Sequence, residues 1–434
     1  MQENNNQEVM WPKLVANKLF RIPSGNQCFV ADFPITDNLV DTASSNIVSH
    51  NHKHIHKYKL FASTWNVGGV QPSDDLDLDD WLDTRNNSYD IYVLGFQEVV
   101  PLKAKNILGA EKSKVSSKWN SLIRTTLNKT LSDPSHEEPK LGEKQKVYPY
   151  ENDKSSSLRK AKDYRCIVSR HMVGIFLTVW IGSNLAQYIL HTSVSCIGCG
   201  ILGCLGNKGS VSVRFCLHGT SFCIVCCHLA SGGKEGDEVR RNSDAMEIFS
   251  RTTFPRGSES LDLPQKILDH DRIIMLGDLN YRISLPEDAT RSLVAQKEWN
   301  KLLEKDQLLA EVSEGRTFKG WQEGSITFSP TYKYYPNSSE YYGCLQGKKG
   351  EKKRAPAWCD RIIWYGKGLK QNQYDRSETN LSDHRPVRAI FTVEVLDERA
   401  PSPSKSLILS NRLECIESCI DLLSADEGLS SANS

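Results

Sequence analysis

The sequence predicts an α/β protein with a large β-sheet system. Short apolar segments of strand length recur between Tyr58 and Val395. A segment with the apolar spacing of an amphipathic helix lies among them, at residues 238–253. Strands interspersed with helices along one chain are typical of this class. The sequence contains no repeat of fixed period.

Each predicted strand is a short, largely apolar run. The runs are residues 58–65, 89–96, 173–181, 188–194, 211–215, 222–229, 272–276, 360–364 and 387–395. Residues 74–82 begin with acidic side chains, which suit the N-terminus of a helix. Residues 298–309 are a further helix candidate besides 238–253.

The predicted sheets occupy the centre of the chain. Residues 1–57 form a polar N-terminal extension, 58–396 the folded domain, and 397–434 a Ser-rich C-terminal tail. Residues 133–163 contain seven acidic residues, seven basic residues and three prolines. So little apolar surface cannot offset the entropy lost on ordering, so we expect a mobile insertion there.

The overall charge is close to neutral. Lys and Arg number 54 and Asp and Glu number 53, which gives a formal charge of +1. This balance provides no general attraction to nucleic acid or to an anionic membrane. No apolar run is long enough to cross a membrane, and the N-terminus lacks the features of a secretory signal. We therefore expect a cytoplasmic protein, with a nuclear location left open.

The thirteen cysteines fit reduced thiols in the cytosol or the nucleus. Cys196 and Cys199, together with Cys223 and Cys226, have the spacing of a four-thiolate zinc site. However, Cys223 and Cys226 lie in a predicted strand and face opposite sides of it. The sequence therefore favours cysteines that pack as small hydrophobic side chains.

Polar side chains occur where the predicted strands end. Asp278 and Asn280 follow an apolar strand and point the same way, because alternate residues of an extended chain share a face. Glu98 follows another strand, and a carboxylate there is the hard oxygen ligand that Mg²⁺ prefers. Taken separately, Asp278 and Asn280 are equally compatible with a capping turn, and Glu98 with a partly exposed side chain.

Five more candidate residues lie at four other strand ends. His384 and Asp383 precede a strand, and Asp360 begins one, where its carboxylate could orient an imidazole. His228 and Asn66 end two other strands. A single such residue is usually structural, but polar groups at six strand ends predict a common site at the edge of an open sheet.

Two phosphate-binding patterns do not fit their surroundings. Residues 198–203 match a dinucleotide-binding glycine pattern, but a strand follows them where a helix is required. Residues 206–209 lack the spacing of a nucleotide-binding P-loop. Lys208 nevertheless lies between glycines, and it is a candidate contact for phosphate.

Six motifs occur in a fixed order along the chain. They are Thr-Trp-Asn-Val (64–67), Phe-Gln-Glu (96–98), Gly-Asn-Lys-Gly (206–209), Gly-Asp-Leu-Asn-Tyr-Arg (277–282), Pro-Ala-Trp-Cys-Asp-Arg (356–361) and Ser-Asp-His (382–384). Together they resemble the inositol polyphosphate 5-phosphatases of the DNase-I-like superfamily. The sequences at residues 203–212 and 235–241 resemble the plant type I group of that family. The most specific motifs lie within 272–287 and 351–366.

The resemblance implies a DNase-I-like four-layer sandwich of two mixed β-sheets flanked by helices. It also implies that Glu98 holds Mg²⁺, with Asn66 near the metal and the phosphate. Asp278 would orient and deprotonate the attacking water, which Asn280 would hold. The other implied roles are phosphoryl contacts for His384 and His228, orientation of His384 by Asp360, and support of the metal or the histidines by Asp383.

A basic segment is the candidate for substrate selection. Residues 348–354 carry a local charge of +4 on a loop before Pro356. The resemblance implies that Lys352 and Arg354, with Tyr332 and Lys333, contact a 4-phosphate. A solvated charge run or a nuclear-localisation signal is the alternative for this segment.

The resemblance implies a Mg²⁺-dependent enzyme that removes the 5-phosphate of phosphoinositide lipids, of soluble inositol phosphates, or of both. The expected substrates are phosphatidylinositol 4,5-bisphosphate, phosphatidylinositol 3,4,5-trisphosphate, inositol 1,4,5-trisphosphate and inositol 1,3,4,5-tetrakisphosphate. Contact with a membrane would be peripheral. A nuclease of the same superfamily and a non-catalytic phosphoinositide-binding adaptor are the alternatives, and near-neutral charge disfavours the nuclease.

Overall fold

The computed structural model describes residues 54–85, 87–102, 113–129, 163–200, 205–257, 263–343 and 354–397. Nearly all of the predicted tail, of the N-terminal extension and of the 133–163 insertion lies outside the described residues. The basic segment 348–354 is described at Arg354 alone, so Lys352 lies outside as well. None of the described helices is long and apolar enough to cross a membrane.

The described residues form twelve strands and five α-helices. The strands are β1 (His54–Asn66), β2 (Ile91–Gln97), β3 (Tyr164–Met172), β4 (Ile175–Gly182), β5 (Ile189–Gly198), β6 (Gly209–Leu217), β7 (Thr220–His228), β8 (Arg272–Asp278), β9 (Gln322–Glu323), β10 (Asp360–Tyr365), β11 (Leu369–Arg376) and β12 (Val387–Asp397). The helices are α1 (Ser113–Leu127), α2 (Asp237–Arg251), α3 (Glu287–Ala295), α4 (Trp299–Leu303) and α5 (Gln307–Ser313).

The strands build two mixed six-stranded sheets with related topology. The first has the order β11-β12-β1-β2-β4-β3, and the second has the order β5-β6-β7-β8-β10-β9. In each sheet the two central strands are parallel, β1 with β2 and β7 with β8, and their outer neighbours run antiparallel. The carboxyl ends of each parallel pair therefore lie side by side at one end of the sheet.

Three apolar clusters hold four layers together. The largest lies between the sheets, where Leu60 and Val93 of the first sheet pack in one cluster with Ile224 and Leu276 of the second. The second cluster packs the outer face of the first sheet against α1, and the third packs the outer face of the second sheet against α2 and α5. The predicted four-layer sandwich is confirmed.

The cysteines of β7 divide between two of these clusters. Cys226 packs between the sheets, whereas Cys223 and Cys227 pack on the outer face of the second sheet. The alternation expected from strand geometry is confirmed, and Cys223 and Cys226 point to opposite faces.

Two helix predictions are wrong. Residues 74–82 form turns instead of a helix, with Leu78, Trp81 and Leu82 buried on the outer face of the first sheet. The candidate helix 298–309 is two short helices, α4 and α5. Asp306 separates them, because its side chain caps α5 by accepting a hydrogen bond from Leu309 N at 2.9 Å.

The capping carboxylate of Asp306 also binds a buried cation. Nη1 of Arg361 lies 3.0 Å from both carboxylate oxygens of Asp306, and Nη2 lies 2.5 Å from Oε2 of Glu323. The side chains of Arg361 and Asp306 are fully buried. This network holds the start of β10, where Asp360 precedes Arg361.

We expect Arg361→Met to lower the free energy of unfolding by about 3–5 kcal/mol, because it leaves two buried carboxylates without their cation. Guanidinium chloride unfolding followed by circular dichroism measures the change. Arg316→Met is the matched control, since Arg316 pairs with Glu311 at a half-exposed position and should cost less than about 1 kcal/mol. Equal losses in the two variants would contradict a structural role for the buried network.

Candidate active site

The parallel strand pairs bring polar side chains from both sheets to one end of the sandwich. Asn66 ends β1 and Glu98 directly follows β2, while His228 and Asp278 end β7 and β8. The antiparallel strand β10 begins at this end with Asp360, which pairs with Asp278 in the register of the sheet. His384 lies three residues before β12, which starts at the same end.

Asp278 lies at the centre of the cluster and is almost completely buried. Its carboxylate accepts hydrogen bonds from Nδ2 of Asn66 at 2.9 Å and from the backbone N–H of Asn280 at 3.1 Å. Burial by itself would raise the pKa of Asp278, but His228, His384 and Lys208 lower it well below its ordinary value. Asp278 is therefore an ionised acceptor held by donors on several sides.

His384 is fixed by a buried carboxylate. Its Nδ1 lies 2.8 Å from Oδ2 of Asp360, and the hydroxyl of Thr331 donates to the same oxygen at 2.6 Å. Burial opposes the charge on His384, but the carboxylates of Asp360 and Asp278 outweigh it and raise the pKa of the imidazole to about 9. The geometry therefore favours a protonated His384 that can donate from Nε2.

His228 is in the opposite electrostatic situation. Its Nε2 lies 2.5 Å from Nζ of Lys208, 3.3 Å from Oδ2 of Asp278 and 3.8 Å from Oε1 of Glu98. Burial, followed by the charge of Lys208, lowers the pKa of His228. Burial also lowers the pKa of Lys208 to about 8, against the attraction of Asp278 and Glu98. These directions favour a neutral His228, whose Nε2 lies between the ammonium of Lys208 and the carboxylate of Asp278.

The oxygen-rich side of the cluster suits a divalent cation. Glu98 has a left-handed φ of 52°, and its side chain keeps 29 % of its surface exposed. Oδ1 of Asn66 accepts from Gly68 N at 3.0 Å and retains a second lone pair. Carboxylate and amide oxygens are the ligands that Mg²⁺ and Ca²⁺ prefer.

A second group of three potential ligand atoms, from Asp278, Asp360 and His384, lies within 4.8 Å of one another. The hydrogen bond between Asp360 and His384 already engages two of these side chains with each other. An imidazolium cannot bind a cation, so the raised pKa of His384 makes this group a weaker candidate metal site than the one at Glu98.

The expected substrate contacts lie beside His384. The rings of Tyr332 and His384 are 4.5 Å apart, and Nζ of Lys333 lies 2.5 Å from Oδ2 of Asp383. The carboxylate of Asp383 thus contacts Lys333, and its pKa is lowered by His384 and Lys333 despite burial. Arg354 is exposed near Gly233, since a Cβ placed on that glycine would lie 3.9 Å from Nη1 of Arg354.

Three contributors were not predicted from sequence. Thr331 binds Asp360, Arg282 donates to Oδ1 of Asn280 at 2.6 Å, and Ser382 donates to the backbone oxygen of Asn66 at 2.6 Å. Each lies within two residues of a predicted site residue, so proximity in a motif was an available signal. The contacts of Thr331 and Ser382 are with distant parts of the chain, whereas the contact of Arg282 with Asn280 is local.

Comparison with known proteins identifies the family. Residues 63–390 match the model of "Endonuclease/Exonuclease/phosphatase family 2". A type IV inositol polyphosphate 5-phosphatase of Arabidopsis thaliana is 57 % identical over 93 % of this chain and 96 % of its own length. A type I inositol polyphosphate 5-phosphatase of the same plant is 44 % identical over 89 % of this chain and 86 % of its own.

The chain belongs to the inositol polyphosphate 5-phosphatase family.

A solved structure of this family has the same architecture. The inositol polyphosphate 5-phosphatase domain of SPsynaptojanin, in complex with inositol (1,4)-bisphosphate and a calcium ion, superposes with a TM-score of 0.64 at 26 % identity. The match covers 86 % of this chain and 94 % of that domain. Cimex nitrophorin, at 18 % identity and a TM-score of 0.52, shares the fold alone. The similarity to these 5-phosphatase sequences shows that the protein is a phosphatase. The fold alone would not have decided its activity, because one fold can serve several functions.

We expect the imidazole of His384 in the metal-free protein to titrate near pH 9, the value to which its two carboxylate neighbours raise its pKa. NMR of ¹³C-labelled histidine, assigned with His384→Gln, measures this. Since the ordinary value is 6.5, the protonated His384 beside an ionised Asp360 stabilises the fold near pH 6.5, and this contribution is lost as the pH rises through 9. It is also lost at low pH, where Asp360, whose pKa burial raises, becomes protonated.

Asp360→Asn should lower the pKa of His384, because it removes the adjacent negative charge. Asp375→Asn is the control, since Asp375 pairs with Arg388 outside the cluster. An unchanged titration in Asp360→Asn would show that this carboxylate does not set the charge of His384.

Proposed function

We propose that the protein removes the 5-phosphate from inositol phosphates and phosphoinositides that also carry a 4-phosphate, with Mg²⁺ as its metal. The proposed substrates are phosphatidylinositol 4,5-bisphosphate, phosphatidylinositol 3,4,5-trisphosphate, inositol 1,4,5-trisphosphate and inositol 1,3,4,5-tetrakisphosphate. The observation that carries this proposal is the convergence of Glu98, Asp278 and His384 at one end of the sandwich. A cytoplasmic protein would reach the lipids by peripheral contact.

Glu98 and Asn66 would hold the metal, and their oxygen atoms fit a hard divalent cation. A bound Mg²⁺ would neutralise the negative charge of the scissile phosphate. The other residues of the site would bind, orient and exchange protons around that phosphate. Phosphoryl transfer depends mainly on such positioning and charge neutralisation.

Asp278 would orient the attacking water. Its depressed pKa makes the carboxylate a weak base, so it would take the proton late, once attack on phosphorus has made the water acidic. The hydrogen bond from Asn66 keeps the carboxylate oxygen in place. Asn280 would hold the same water from the turn that follows β8.

His384 and His228 would both contact the phosphoryl oxygens, His384 in its protonated form and His228 in its neutral form. A protonated His384, held by Asp360, would donate a charge-assisted hydrogen bond, which is stronger than a neutral one. Lys208 would supply a second positive charge beside His228. Both charges lie in a buried site, where electrostatic stabilisation of developing charge is large.

The 4-phosphate would be bound by Lys333, Arg354 and, from the basic segment, Lys352. Tyr332 would pack between these side chains and His384. Lys333 is paired with Asp383 and lies 5.4 Å from the ring of Tyr332. The SPsynaptojanin domain that shares this fold was solved with inositol (1,4)-bisphosphate, which carries a 4-phosphate and lacks a 5-phosphate. That ligand is the expected product of the proposed reaction on inositol 1,4,5-trisphosphate.

We expect release of phosphate from inositol 1,4,5-trisphosphate with Mg²⁺, and a loss of about 10³-fold or more in kcat for Asp278→Asn, because the water loses its charged acceptor. Malachite-green detection of phosphate measures both, and EDTA should abolish the release. Asp375→Asn is a control outside the site. Cleavage of abasic DNA without phosphate release would instead support a nuclease, and lipid binding without turnover would support an adaptor.

Arg354→Ala should raise KM for inositol 1,4,5-trisphosphate about tenfold, since one charge-assisted contact is worth about 1.5–3 kcal/mol. The same variant should leave KM unchanged for inositol 1,5-bisphosphate, which lacks the 4-phosphate. Arg85→Ala is the matched control, because Arg85 is exposed and pairs with Asp77 away from the site. Equal effects on the two substrates would rule out recognition of the 4-phosphate by Arg354.

A further inference from the structure

Arg282 is a cation of the site that takes no direct part in the proposed reaction. It lies two residues after Asn280, and its side chain is partly exposed at the site. Arg316, Arg361 and Arg376 each pair with a carboxylate. In the described part of the chain, by contrast, Arg282 forms no ion pair.

The guanidinium of Arg282 donates two hydrogen bonds to the same residue, Asn280. Its Nε donates to the backbone oxygen of Asn280 at 3.0 Å, and its Nη2 donates to Oδ1 of the same residue at 2.6 Å. Because Oδ1 accepts from Arg282, Nδ2 of Asn280 points the other way and donates to Leu229 O at 3.2 Å. Arg282 and the backbone oxygen of Leu229 therefore fix the Asn280 amide in the same orientation.

The backbone at this turn needs such support. Asn280 has a left-handed φ of 59°, a conformation that asparagine tolerates better than most residues. Its N–H donates to Oδ1 of Asp278 at 3.1 Å. The backbone of Arg282 is itself held, since Gln307 accepts from its N–H at 2.9 Å and donates to its oxygen at 3.0 Å.

The other side of the guanidinium faces an aromatic ring. The guanidinium carbon of Arg282 lies 4.6 Å from the ring centroid of Tyr332, within the range of a cation–π contact. The Tyr332 ring in turn lies 4.5 Å from the ring of His384. Arg282 thus touches one residue from the water-activating turn and one from the loop proposed to bind the 4-phosphate.

We infer that Arg282 is a positioning residue that sets the orientation of the Asn280 amide and supports the Tyr332 ring, so that the hydrolytic and substrate-binding parts of the site keep one relative geometry. A purely structural role in closing the turn would affect stability but not couple Arg282 to Asn280 in catalysis. This inference rests on the proposed 5-phosphatase reaction.

Arg282→Lys tests the inference, because a lysine keeps the charge but cannot donate from two fixed nitrogens while packing on a ring. We expect kcat for inositol 1,4,5-trisphosphate to fall about 10- to 100-fold through misplacement of Asn280. In a protein that already carries Asn280→Ala, adding Arg282→Lys should lower kcat by less than about a further threefold. The effects of two residues that act through one another are not additive. Arg316→Lys is the control for the substitution itself.

The results separate the two proposals. Two results with an active wild-type enzyme would overturn the positioning role alone. In the first, Arg282→Lys keeps kcat within about threefold of wild type. In the second, the losses of kcat in Arg282→Lys and Asn280→Ala multiply in the double variant. A wild-type protein that releases no 5-phosphate overturns the proposed function and this inference with it. Thermal unfolding checks that each variant folds. If the lysine variant does not fold, Arg282→Gln, which can still donate one hydrogen bond, is used in the same cycle.

Discussion

The site depends on two hydrogen bonds that join one β-sheet to the other. Asn66, at the end of β1 in the first sheet, donates to Asp278 at the end of β8 in the second. His384, just before β12 of the first sheet, binds Asp360 at the start of β10 of the second. A small shift of one sheet over the other would break both contacts, so the apolar cluster between the sheets also sets the geometry of the site.

The electrostatic pattern follows from how the charges are distributed in this buried cluster. Two carboxylates near His384 favour its protonated form, whereas Lys208 next to His228 favours the neutral form. The two imidazoles of the site thereby favour different protonation states, because carboxylates outweigh burial at His384, whereas burial and the Lys208 ammonium outweigh the carboxylates of Asp278 and Glu98 at His228. Such a division would provide both a charged donor and a neutral group to a phosphate bound in this site.

Support for the site extends well beyond the residues that would touch substrate. Arg361 is buried between Asp306 and Glu323 and anchors the start of β10. Thr331 fixes the carboxylate that holds His384, and Arg282 fixes the amide of Asn280. These contacts limit the motion of groups whose orientation matters, at positions where packing and hydrogen bonding leave one rotamer.

The sequence by itself determined the fold class, most of the strands, the family and the strand-end positions of the candidate site, because strand periodicity and motif order are local properties of the chain. It did not determine that residues 74–82 form turns or that Asp306 divides a helix, since burial of Trp81 and the ion pair with Arg361 are contacts with distant residues. Tertiary structure alone decided the pKa shifts of His384 and His228, and the aromatic ring of Tyr332 that Arg282 contacts. Those properties arise from distances between segments far apart in the chain, which only the packed sheets specify.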